Sequence, residues 1–331
     1  MKASVVHPAE LGAAEQLLWR SFARDSFLNS PFLSWPFVES IGRVRDDARV
    51  ATFREGSRIC GFLPFQLGSD NAGLPVGATI CDAQAVVAPP GWIFDPLRLI
   101  DAAGLSAWRF DHLTLEQKPF LPFHHRRYRS PVVDLRAGYD TFMEEVRTNS
   151  KDLIAQVARR RRKLEREVGP VLCEWQSSDP DGDLLRLSQW KSDQYAREGT
   201  WDRFAVPWIT EALALLVRSR DPTCTGLLTS VRAGEHVVAA HFGLLGTDRL
   251  SWWFPAYNPE FGRYSPGLIL LLDIIAEAAR RGVRMVDLGR GEHGYKLRVT
   301  SRYYEVAEGE VVAGGERDAK QVEGEGAGTG G

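Results

Sequence analysis

The sequence predicts an α/β (α+β) chain of two similar lobes. Each lobe is a mixed, mostly antiparallel sheet flanked by helices, with a helical segment between them. Three observations predict this. First, two hairpins stand far apart in the chain: ARVATFRE and RICGFLPFQLG turn at Gly56-Ser57, and GLLTSVR and HVVAAHFGLLG turn at Ala233-Gly234-Glu235. Second, each hairpin leads to a helix and then to a buried strand. Third, Arg54, Gly56, Leu67 and Gly68 recur at a fixed offset as Arg232, Gly234, Leu245 and Gly246, as a duplicated fold would require.

Taken in order, Ala9 to Phe22 is amphipathic and reads as a helix. After the first hairpin, DPLRLIDAAG from Asp95 reads as a short helix, with Asp95 as N-cap, Pro96 at the first position and Gly104 as the stop. WRFDHLTL from Trp108 is then a strand. Three helices fill the middle: TNSKDLIAQVARRRRKLERE as one, DGDLLRLSQWKSDQYAREG as a second, and PWITEALALLVRSR as a third. The second hairpin continues into RLSWWFPAY, the loop NPEFGRYSPG, the helix LILLLDIIAEAARR closed by Gly282, and the buried strand VRMVDLG. YKLRVTSRYYEVAEGEVV reads as strands around Glu308-Gly309. These readings divide the chain into lobes at 1–135 and 136–312, the second including the helical segment 138–220. The Gly-rich, charged stretch 313–331 has the composition of a disordered tail.

Composition narrows the function classes. A net charge of −2 gives no global attraction to nucleic acid or anionic membrane. Cys60, Cys81, Cys173 and Cys224 form no C-x-x-C pair and read as reduced thiols. LILLLDIIAEAA is short and carries Asp273 and Glu277, so it reads as a buried helix and not a membrane span. The N-terminus lacks an apolar run long enough for a signal peptide. A cytoplasmic protein with no metal is expected, with peripheral membrane contact left open.

GRGEHG, at 289–294, formally matches G-x-G-x-x-G after a strand. A dinucleotide fingerprint also needs a helix opening at the third glycine and an acidic residue about 20 positions on. The strand-like residues that follow, and the little chain left before residue 331, speak against it. GRYSPG is the better phosphate candidate. Ser265 could cap, Pro266 suits the first turn, and Gly267 would let a ligand approach the N–H donors of the helix. The same residues also suit an ordinary capped helix start.

Four segments carry a family resemblance: WKSDQYAREGTWDRF (190–204), VVAAHFGLL (237–245), WWFPAYNPEFGRYSPG (252–267) and VDLGRGEHGYK (286–296). With their strand order, they resemble the GNAT acyltransferase superfamily, and more closely its Fem/CelD-like, polysaccharide-biosynthesis-associated branch of tandem GNAT proteins. The first half matches more loosely, through PFLSWPFVES and GFLPFQLG. The resemblance implies transfer of an acyl group, usually acetyl from acetyl-CoA, to an amine or hydroxyl. It also implies that the strand ending at Tyr257 pairs with pantetheine amides. Arg263, Tyr264, Ser265, Pro266, Gly267 and Leu268 would then receive the pyrophosphate. The usual Q/R-x-x-G-x-G/A loop is represented here only by R-Y-S-P-G.

Direct attack on a thioester requires a proton acceptor for the nucleophile, stabilisation of the oxyanion and a proton for the thiolate. No G-x-S-x-G elbow or activated cysteine is present, which fits attack by the acceptor itself. Tyr295-Lys296 is the foremost catalytic candidate, matching an aromatic–lysine pair that Fem-type transferases carry. The ammonium would meet the oxyanion and the phenol would protonate the thiolate. His241 and His293 read either as general bases or, respectively, as a core histidine and a solvated loop histidine. Asp287 ends a buried strand, as Asp111 does in the first half, and reads as catalytic or as holding the following turn. Trp190, Lys191, Gln194 and Tyr195 form a polar-aromatic helix stripe suited to a saccharide or other small-molecule acceptor, or to the core; Tyr257 and Arg290 are further acceptor-side candidates. The run RRRRKLER, at 159–166, reads as a solvated helix or as a contact for an anionic substrate. Rival readings are a Fem-like transferase using aminoacyl-tRNA, in which tRNA is the partner, and a binding module that keeps the fold.

Overall fold

A computed structural model describes residues 1–24, 28–291 and 294–314. The strands are β1 (Lys2–Val6), β2 (Ala48–Glu55), β3 (Arg58–Leu67), β4 (Ala72–Pro75), β5 (Ala107–Thr114) and β6 (His124–Asp134) in the first half. The second half supplies β7 (Val171–Glu174), β8 (Thr225–Ala233), β9 (His236–Leu245), β10 (Arg249–Tyr257), β11 (Met285–Asp287) and β12 (Arg302–Val312). The helices are α1 (Ala13–Phe22), α2 (Trp35–Gly42), α3 (Pro96–Ala102), α4 (Tyr139–Asn149), α5 (Leu153–Glu167), α6 (Pro180–Glu198), α7 (Pro207–Arg218), α8 (Pro266–Arg280) and α9 (Gly294–Leu297).

All described strands join one mixed sheet in the order β1-β2-β3-β4-β5-β12-β6-β11-β10-β9-β8-β7. The last strand of each half crosses to the other. β6 pairs with β11, β12 pairs with β5, and the two crossing strands pair antiparallel along their length. Helices cover both faces, so most strands bury both sets of side chains and read as continuous apolar runs. On one face α1, α2, α6 and α7 close a core holding Trp19, Phe62, Leu213 and Phe242. On the other, α5 and α8 cover the second half around Ile274 and Trp252, while α3 covers the first around Phe65 and Trp108.

The repeat noticed in the sequence is visible in the hairpins. Both carry a register shift just before the turn, at Phe53/Arg54 and at Val231/Arg232. Both turn on a glycine in the left-handed region, Gly56 at φ 61° and Gly234 at φ 54°, which a side chain would strain. Asp95 caps α3 as expected, its carboxylate accepting from Leu97 N–H at 3.1 Å.

Three element expectations need correction. The single helix read over TNSKDLIAQVARRRRKLERE is two, because the chain breaks at Ser150 (ψ 59°) between α4 and α5. The strand pair around Glu308-Gly309 is the single strand β12, whose register slips there without turning, since both neighbours stay paired. A helix does open at Gly294, but α9 lasts one turn before the chain extends again. That turn is too short for a dinucleotide unit, which continues into a full crossover helix. Residues 315–331 of the expected tail lie outside the described residues. The four cysteines are free thiols, three buried and Cys173 half-buried. Burial pushes the Cys173 and Cys224 thiols up to about 12. Among the described residues no helix is long and apolar enough to cross a membrane.

Candidate active site

β10 pairs in parallel with β11 only through Arg249, Ser251 and the residue between them, opposite Met285 to Asp287. Beyond Ser251 it stays paired with β9 alone as far as Tyr257. The residues from Trp252 to Tyr257 therefore present an edge that β11 does not cover. At its end the ring of Tyr257, 47% exposed, lies over Gly262 and Gly267, whose Cβ positions would meet it at 3.6 and 3.7 Å.

The chain then makes a turn of 3-10 helix over Pro259–Tyr264 and enters α8 through Ser265 in the left-handed region (φ 52°). Ser265 sits at the N-cap but does not cap. That conformation carries its hydroxyl away from the first turn, and Arg160 of α5 donates to it instead. Leu268 N–H donates to Ser265 O, Pro266 has no N–H, and the Gly267 N–H has no backbone partner among the described residues. The arginine run thus divides by direction. Arg161 forms a two-pronged pair with Asp273 at 2.7 and 2.8 Å, tying α5 to α8. Arg160 points at the α8 entrance, and Arg159, Arg162, Lys163 and Arg166 remain exposed. Arg263, 67% exposed, flanks the same entrance. A positive helix end with an N–H unpaired among the described residues and added arginines has the charge and the donors to hold an anion. Tyr264, in contrast, is buried, its hydroxyl donating to Glu167 at 2.9 Å.

On the other side of the open edge, Lys296 is 7% exposed. Its ammonium donates to Gly289 O at 3.1 Å and Arg290 O at 3.3 Å, which leaves one N–H of three without a partner among the described residues. Burial lowers its pKa, while Asp82 and Asp287 oppose the shift. Tyr295 is packed beside it, its hydroxyl accepting from the Trp252 indole at 3.3 Å. Asp287 is fully engaged. It accepts from Tyr304 O–H at 2.6 Å, Gly289 N–H at 3.0 Å and Ser130 O–H at 3.4 Å. The two crossing strands supply two of these donors, so Asp287 fixes the turn into the lysine loop.

Three side chains of the first half, not singled out as a site in the sequence, stand at the same place. Asp82, Asp111 and His112 approach Lys296 because β5 and β11 end side by side across β12 and β6. A Cβ on Gly289 would lie 3.5 Å from an Asp82 oxygen and 4.0 Å from Lys296 Nζ, so both groups converge on that glycine. Burial raises the Asp82 pKa, as do Asp287 and Asp111; His112 and Lys296 act against it. Burial lowers the His112 pKa, but the hydrogen bond to Asp111 and the charge of Asp82 outweigh it, and the net shift is upward. An Asp-His pair at a strand's C-terminal end was the available signal. Without the strand crossing, nothing in the sequence joins it to Lys296. Arg290, expected on the acceptor side, instead bridges the halves. It donates to Asp111 O at 3.1 Å and lies 3.4 Å above the Tyr128 ring.

His241 is fully buried, stacked on Trp252 at 4.2 Å, and its Nε2 accepts from Trp253 N–H. Burial pushes its pKa down to about 3, so it is a poor base at neutral pH. His293 lies outside the described residues. On α6, Lys191 and Tyr195 are both buried and Trp190 half-buried. The Lys191 ammonium donates to Gln194 at 3.0 Å and sits 4.8 Å from the Tyr195 ring centre. This group packs on the opposite face of the sheet from α5 and α8.

Burial pushes the Lys191 pKa down to about 8, against an ordinary 10.5. Below pH 8 both folded and unfolded chains hold this proton, and folding carries the cost of a buried charge. Between pH 8 and 10.5 only the unfolded chain holds it, so this group's contribution to stability rises with pH. Lys191→Met should therefore stabilise the protein at pH 7 by on the order of 2 kcal/mol, and flatten the rise above pH 8. Urea unfolding at pH 7 and 9.5 checks both.

A sheet opened between a hairpin strand and a parallel strand, with a helix entrance facing the gap, defines a GNAT-like fold, here in tandem. Residues 151–297 match the family described as acetyltransferase (GNAT) domain, the segment from α5 to α9. No curated protein matches the chain by sequence. The fold is similar to that of FemX, with TM-score 0.59 and 11% identity over 94% of this chain and 96% of that one. It is also similar to the C-terminal domain (DUF2156) of a putative lysylphosphatidylglycerol synthetase from Agrobacterium fabrum. There the TM-score is 0.56 and the identity 13%, over 92% and 93% of the two chains. A tandem GNAT protein from the clavulanic acid biosynthesis pathway matches with TM-score 0.51 and 10% identity, over 95% of this chain and all of its own.

Proposed function

We propose that the chain is an acyl-CoA-dependent acyltransferase that carries acetyl to a hydroxyl or amine of a saccharide or cell-envelope precursor, by direct attack on the thioester. The observation that carries this reading is Lys296. Among the described residues its buried ammonium has two N–H groups fixed on backbone carbonyls and the third without a partner, beside the open edge of β10. In so little water a fixed cation stabilises a developing oxyanion strongly. Tyr295 is the proton donor to the leaving thiolate, and Trp252 to Tyr257 hold the pantetheine chain in line. The α8 entrance, with Gly267 N–H, Arg160 and Arg263, receives the pyrophosphate.

The exposed basic face of α5 favours a second reading, in which the donor is an aminoacyl-tRNA. Phosphate contacts of that kind weaken steeply with salt. Thermal-shift titrations with acetyl-CoA and with tRNA separate the two. Stabilisation by acetyl-CoA at physiological salt supports the first reading, and stabilisation by tRNA alone overturns it. On the first reading, Arg160→Ala should weaken acetyl-CoA binding roughly 3- to 10-fold, the loss of one charge-assisted contact. Calorimetry on the folded variant measures it.

A further inference from the structure

The two carboxylates nearest Lys296 differ in one respect. Asp287 accepts from three donors, as a structural carboxylate does. Asp82 makes no hydrogen bond among those described; the cation paired with it there is His112, whose Nε2 lies 3.9 Å from an Asp82 oxygen. The Asp82 side chain is 28% exposed, and it faces the glycine on which Lys296 also converges. His112 is in turn held by Asp111, with Nδ1 3.0 Å from the carboxylate. Gln84 fixes Asp111 from behind, its amide donating to the carboxylate at 2.6 Å and its carbonyl accepting from Asp111 N–H at 2.8 Å. A carboxylate with open lone pairs can take up a proton, and a cation steered by a second carboxylate can hold it in place.

We infer that Asp82 is the proton acceptor for the attacking nucleophile, and that His112, steered by Asp111, is the positioning residue that holds Asp82 facing the Gly289 cradle. This rests on the acyl-transfer reading above. As the nucleophile's oxygen or nitrogen bonds to the thioester carbon, its proton moves to an Asp82 oxygen. The tetrahedral adduct then expels the thiolate, which takes the Tyr295 proton. Solvent removes the proton from Asp82 and restores that of Tyr295, so the step neither consumes nor releases protons overall. Among the described residues the charged groups facing Asp82 are His112 and Asp111 on β5, Asp287 on β11 and Lys296 on α9. Arg290 faces His112 from the loop after β11. Removing the His112 cation leaves Asp82 facing two carboxylates and Lys296 alone. Asp82 then holds its proton to higher pH, and the acidic limb of the rate profile moves upward.

Two measurements on the full chain test the inference. In histidine-labelled protein the His112 imidazole should titrate above 6.5 by NMR, with the signal assigned through His112→Gln. Asp82→Asn and Asp111→Asn should each lower that midpoint; an unmoved midpoint in both overturns the coupling. In acetyl transfer from acetyl-CoA, Asp82→Asn should lower kcat about 100-fold with KM for acetyl-CoA within about 2-fold, the size expected of a general base. His112→Gln should lower kcat less and shift the acidic limb to higher pH, which a merely structural residue would not do. If Lys296→Ala abolishes transfer while Asp82→Asn keeps the wild-type rate, the inference fails and the acyl-transfer reading stands. If the wild-type chain transfers no acetyl group, that reading fails and the inference with it.

Discussion

Lys296→Ala should lower acyl transfer by about 100-fold or more without unfolding the protein. Loss of one preorganised contact to a tetrahedral oxyanion typically costs about 3 kcal/mol of transition-state stabilisation. The ammonium held on Gly289 O and Arg290 O is the contact in question. Removing it also removes a buried charge whose protonated form burial already disfavours, so the fold should tolerate the change. Lys296→Arg should not restore the rate. The planar guanidinium cannot keep both carbonyls and also present a donor at the place of the third ammonium N–H. The loss should appear in kcat, with acetyl-CoA affinity retained, because the α8 entrance lies on other residues. A folded alanine variant at wild-type rate would remove Lys296 from the mechanism.

The second large effect is expected at Asp287. Asp287→Ala leaves three donors unmatched, the Tyr304 and Ser130 hydroxyls and Gly289 N–H. A buried donor without a partner costs about 1–3 kcal/mol, and the substitution also removes a counter-charge from Lys296. Stability should fall by on the order of 3 kcal/mol, and turnover should fall with it as the Gly289 turn loosens. Asp287→Asn keeps one acceptor oxygen and should recover part of both. Denaturant unfolding together with initial rates measures the pair. An alanine variant as stable as wild type would contradict the holding role.

The sequence made the local elements legible because their signals are local. Hairpin turns at Gly56 and Gly234, the Asp95 cap and the apolar stripe of α8 depend only on neighbouring residues. The break between α4 and α5 is not legible in the sequence because Ser150 and Lys151 are no strong breakers. In β12 Glu308-Gly309 resembles a turn, whereas pairing on both sides keeps the chain extended. The site was legible in its second-half portion, through Tyr295-Lys296 and the GRYSPG entrance. Asp82 and His112 were hidden by topology. They stand more than a hundred residues from Lys296 in sequence, and the exchange of β6 and β12 brings them together. Ser265 shows the reverse case, a residue type suited to capping that its backbone conformation diverts to Arg160.

The most direct test of the central claim is mass-spectrometric transfer of isotopically labelled acetyl from acetyl-CoA to a panel of saccharide and cell-envelope precursors. The account predicts a labelled product with at least one acceptor, formed by the wild-type chain and reduced about 100-fold or more by Lys296→Ala. The absence of product across the panel, with no stabilisation of the protein by acetyl-CoA, would contradict it.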